Sequence, residues 1–85
     1  MHTQEFIRRT LLAQLEAAYP ITLPIETLWQ GLRIAGLPSH NETIRKELEY
    51  LLDKGFIQCI SNELCPHHRR YKLASKGIDF LETNS

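Results

Sequence analysis

Net charge is the first thing this chain lacks, because ten Lys and Arg are cancelled by ten Asp and Glu over 85 residues. A nucleic-acid binder draws most of its affinity from neutralising phosphates, so a neutral chain must gather its cations on one surface to act as one. Long hydrophobic runs are missing too. Nothing approaches the roughly 20 apolar residues of a membrane span, and Met1-His2-Thr3-Gln4-Glu5 is not a charged segment leading into an apolar one. These two absences lead to the expectation of a cytoplasmic protein with no membrane association. A glycine-rich phosphate loop is absent, as is a Ser or Cys with an ordered base or a carboxylate pair in a plausible cleft. A chain this short buries only about 60 to 65% of its unfolded surface and has little room for an enclosed active site. It is therefore expected not to be an enzyme and to use no cofactor. Repeats and low-complexity segments are lacking, and with 42% hydrophobic and 24% charged residues the chain reads as one globular domain over residues 1-85.

Cysteine is scarce: Cys59 and Cys65 are the two present, with His67 and His68 close behind. All four are zinc-ligand types, but structural zinc sites usually hold C-x-x-C pairs on a tight knuckle, and this spacing differs. The reading from spacing is no metal, with zinc as the alternative. Cys59 then packs as a small apolar residue, a Cys59–Cys65 disulfide is disfavoured in a reducing compartment, and the histidines make the local charge depend on pH near neutrality.

What the chain does contain is strong periodicity. Phe6, Ile7, Leu11, Leu12, Leu15 and Ala18 recur at helical spacing, which predicts a first amphipathic helix from about Thr3, its N-cap, to Tyr19. Arg8, Arg9 and, later, Arg33 read as isolated, solubilising surface charges. Pro20 breaks that helix, and 19–23 reads as an extended link or short strand. Pro24 opens a second helix holding Ile25, Leu28, Trp29 and Leu32, which Gly36 terminates. Ser39 and Glu42 have capping-box spacing and predict the start of a third helix. Its buried stripe is Ile44, Leu48, Leu51 and Leu52; Thr43, Lys46, Tyr50 and Asp53 lie opposite, with His40 and Asn41 at the exposed first turn. Gly55 suits the left-handed residue that closes a helix. Phe56 to Ile60 and Tyr71 to Leu73 have strand composition, Ser75 is expected to cap a last helix with Ile78, Phe80 and Leu81, and residues 82–85 are expected to fray. Phe56, Tyr71 and Leu73 should share one core with Leu48 and Leu52.

Leu51-Leu52-Asp53-Lys54-Gly55-Phe56-Ile57 followed by Tyr71-Lys72-Leu73-Ala74-Ser75-Lys76-Gly77 resembles the winged helix-turn-helix superfamily. There a third helix ends in Leu-x-x-x-Gly-apolar-apolar and the wing returns as Tyr-x-Leu-Thr-x-x-Gly; Ala74 replaces the Thr here. The layout is also similar to small winged-helix proteins of Mu-like prophages. The resemblance implies a mainly α fold with a small β-hairpin (α+β), built as a three-helix core plus wing and a short C-terminal helix. It implies double-stranded DNA as partner, transcription regulation as role, and a homodimer pairing two recognition helices across a palindrome. By position, the third helix would present Ser39, His40, Asn41, Thr43, Lys46 and Tyr50 to the major groove, and the wing would place Arg69 and Arg70 on the backbone. Residues 65–76 carry Arg69, Arg70, Lys72 and Lys76 and no carboxylate, so this is the basic pole. Glu42, Glu47, Glu49 and Asp53 outnumber Arg45, Lys46 and Lys54 along the third helix. That excess favours the alternative function, a winged-helix module for protein–protein interaction without direct DNA contact.

Overall fold

A computed structural model of the protein describes residues 3–37, 40–61 and 69–83. In chain order the described residues form α1 (Thr3–Ala18), β1 (Leu23–Pro24), α2 (Ile25–Ile34), α3 (Asn41–Asp53), β2 (Ile57–Ile60), β3 (Arg70–Leu73) and α4 (Ser75–Thr83). The strands make one antiparallel sheet in the order β1-β3-β2, with Leu23 and Cys59 on either side of Tyr71 and Ile57 opposite Leu73. This is a mainly helical α+β architecture. The segment after α1 does become a strand, so the expected hairpin is the larger part of a three-stranded sheet. No described helix is long and apolar enough to cross a membrane.

The core forms where the helical stripes meet the inner face of the sheet. Ile7, Leu11, Leu12 and Leu15 come from α1, Leu28 and Leu32 from α2, Ile44, Leu48 and Leu51 from α3, and Ile57, Tyr71 and Leu73 from the sheet. Phe6 departs from expectation at 56% exposure, because it lies one position off the i, i+4, i+8 line of Ile7, Leu11 and Leu15. Leu52 and Phe56 are only partly buried against this core. Phe56 stacks instead on Phe80 of α4, with ring centroids 4.6 Å apart and planes 25° from parallel.

Two glycines end two helices in the same way. Gly36 and Gly55 both have φ of 78°. The Gly36 and Leu37 amides donate to the carbonyls of Arg33 and Leu32, and the Gly55 and Phe56 amides donate to those of Leu52 and Leu51. These are paired Schellman bonds, which use up carbonyls that would otherwise lack partners.

The helix starts differ from the sequence reading. Ile44 donates its amide to the carbonyl of His40, so α3 has His40 (φ −77°, ψ 157°) as its N-cap, one residue later than a box centred on Ser39 would have it. Ser39 itself lies outside the described residues. Pro24 is not in the first helical turn but is the N-cap of α2, paired with Arg70 in β1; an edge strand tolerates the missing N–H. The Ile78 amide donates to the carbonyl of Ala74, so Ala74 takes the N-cap position and Ser75, expected to cap α4, is its first helical residue. Glu82 and Thr83, expected in the tail, belong to the same helix. The Ala74 amide donates to the Phe56 carbonyl, and a Cβ on Gly77 would stand 2.2 Å from that oxygen. Gly77 thus lets α4 press onto the link between α3 and β2.

Candidate nucleic-acid interface

The outer surface of α3 is built by the same periodicity that buries its inner one. Ile44, Leu48 and Leu51 turn inward, and His40, Asn41, Glu42, Arg45, Lys46, Glu49, Tyr50 and Asp53 are exposed; Thr43 is half-buried. Spacings of seven and four put Glu42, Glu49 and Asp53 on one line opposite the core. That line divides the expected DNA contacts. Thr43, Lys46 and Tyr50 lie on the flank toward α1, where the Arg8 guanidinium sits 3.8 Å from the Tyr50 ring centroid. Asn41 lies on the other flank with Arg45, a cation that the sequence reading did not select although its i, i+4 spacing from Asn41 marks it.

Glu47 does not belong to that surface. It is 1% exposed, and its Oε1 accepts a bond from Arg8 Nε of α1 at 2.5 Å. Burial of an unpaired carboxylate would be prohibitive, so the pair explains how an acidic residue occupies a core position. Arg8 is correspondingly not an isolated solubilising charge. Arg33 also has a neighbour, the Trp29 ring 5.5 Å away. Without Glu47, the acidic excess expected on α3 disappears: Glu42, Glu49 and Asp53 are matched by Arg45, Lys46 and Lys54.

The second expected contact region ends in Arg69 and Arg70, both exposed and both engaged. Arg70 donates from Nε to Thr22 Oγ1 at 2.8 Å and from Nη2 to the Thr22 carbonyl at 3.0 Å. Arg69 hydrogen-bonds the Tyr71 hydroxyl. Burial raises the Tyr71 pKa above 10.0; nearby Cys59 adds to the rise and Arg69 opposes it. Each guanidinium keeps further donors, and the bonds hold it against the sheet. Lys72, next on β3, has its ammonium 5.7 Å from the Tyr19 ring.

Cys59 packs partly buried against the core, beside Tyr71 in the sheet. Among the described residues no group of three His, Cys, Asp or Glu side chains is placed to hold a metal ion; Cys65, His67 and His68 lie outside them. Comparison with protein-family models, curated proteins and solved structures found no match.

Proposed function

We propose that this protein is a winged-helix DNA-binding domain, acting as a small transcription regulator with the amino-terminal half of α3 in the major groove and β3 beside the phosphate backbone. The observation that carries the reading is the uncovered first half of α3, in a fold whose sheet holds Arg69 and Arg70 exposed at the start of its central strand β3. In the strand order β1-β3-β2, the edge strand β2 follows α3 through a single glycine turn and pairs with β3, which carries Arg70. Within the first half, Asn41, Arg45 and Lys46 are exposed with one acid, Glu42, which sits in the first turn where the helix dipole favours it. Glu49 and Asp53 fall in the second half, beyond the part that reaches base edges in this mode. A homodimer supplies the second half-site that so small a domain needs for useful specificity.

The protein-interaction reading is favoured by a different observation, the exposure of Tyr19, Ile21 and Ile60 around the sheet. Titrating random duplex DNA by fluorescence anisotropy at several salt concentrations separates the two. The DNA reading expects affinity to fall steeply with salt, and Lys46→Ala to lose about 1 to 3 kcal/mol on a selected site. Changing Arg69 and Arg70 together to Ala should reduce the salt slope by about two for every duplex. Failure of the wild type to bind any duplex at low salt would refute it.

A further inference from the structure

We propose that the cleft between α1, the carboxyl end of α3 and α4 is a binding site for a small aromatic carboxylate. The cleft has a volume of about 410 Å³, within the roughly 300 to 1,000 Å³ typical of small-molecule sites. Its apolar surface comes from the stacked Phe56 and Phe80 rings and from Tyr50, which is 36% exposed. Arg8, Arg9 and Lys54 also line it, with Glu5 the one carboxylate among the lining residues. Arg8 is balanced by Glu47, so Arg9 and Lys54 together outweigh Glu5. The Lys54 ammonium already stands 5.6 Å from the Tyr50 ring centroid, and that of Lys76 5.9 Å from the Phe56 ring.

Aromatic floor and cationic rim ask for two things of one ligand. A flat apolar body would cover the Phe56–Phe80 pair, with offset stacking favoured by the ring quadrupoles, and reach Tyr50, one face of which the Arg8 guanidinium already occupies. A carboxylate at one end would meet Arg9 and Lys54 at the exposed rim through charge-assisted hydrogen bonds, which are stronger than neutral ones. Inorganic phosphate would satisfy the rim and leave the rings uncovered, and a neutral arene would do the reverse. The occupied cleft would touch α3 through Tyr50 and Lys54, which ties a ligand to the helix proposed to read DNA. The binding inference itself stands independently of that function.

The test is an amide NMR titration of the whole chain, without DNA, using 1-naphthoate and its neutral isostere 1-naphthamide. We expect saturable shifts from naphthoate at millimolar concentration, confined to residues 5–12, 50–56 and 76–80, and weaker binding of the amide. Arg9→Gln with Lys54→Gln, both at exposed positions, should weaken naphthoate about tenfold and leave naphthamide and the thermal melt unchanged. Equal binding of acid and amide by the wild type overturns the proposal, as does a set of shifts elsewhere on the surface or no saturable shift at all. Because DNA is absent, failure here leaves the DNA reading standing, and loss of DNA binding leaves this one standing.

Discussion

At the scale of single residues, the Arg8–Glu47 pair changes how the charges of this chain are counted. Glu47 sits on the buried side of α3 with its side chain 2% exposed, while Arg8 keeps 28%. Removing the partner leaves a carboxylate in the core, so Arg8→Ala should lower unfolding free energy by about 3 kcal/mol, at the low end because Arg8 reaches water. Replacing both by Met should recover most of that loss, since packed apolar side chains replace a pair that pays desolvation at both ends. Urea unfolding of the three proteins checks it, and an Arg8→Ala variant as stable as wild type would show that the pair holds nothing. Tyr71 carries a pH dependence. Its folded pKa lies above 10.0, mainly through burial, so the neutral hydroxyl is the form the fold favours. The resulting stabilisation is complete below the unfolded value near 10 and is lost as pH rises through the folded one. Between pH 9 and 11, wild-type stability should therefore fall more than that of Tyr71→Phe; parallel curves would contradict this.

Among elements, the helix ends divide into those local sequence specifies and those it misplaces. Gly36 and Gly55 were legible as stops because a left-handed residue is a local demand that glycine meets without strain. The starts were less so. The Ser39–Glu42 pattern marked the arrival of α3 within one residue, but His40 is the residue whose carbonyl takes the first helical bond. At α4 the polar Ser75 drew the cap assignment, whereas the bond from Ala74 to Phe56 sets where the helix begins. Ala74 offers no side-chain acceptor there. Ala74→Ser should therefore stabilise the protein by about 1 kcal/mol, read as a higher urea midpoint with unchanged m-value. A drop in stability would show that the half-buried site cannot accommodate a hydroxyl.

For the whole molecule, one core joins all three of the larger helices to the sheet, and Leu48 of α3, 1% exposed, lies within it. Leu48→Ala should cost about 2 to 5 kcal/mol by urea unfolding; a loss under about half a kcal/mol would mean that α3 is not anchored as described. The sequence by itself determined the amphipathic stripes, the glycine stops and the order of helices and strands, because each depends on residues a few positions apart. It also placed Asn41 in an exposed first turn and Lys46 opposite the buried stripe of the third helix. Tertiary structure decided the rest. Glu47 meets Arg8 across 39 positions, Arg70 meets Thr22 across 48, and Phe56 finds Phe80 rather than the centre of the core. These pairings set the charge that α3 shows to solvent, the direction the arginines are held and the cleft beside α4. A helical period states which residues share a face; what that face meets depends on elements brought together only when the chain folds.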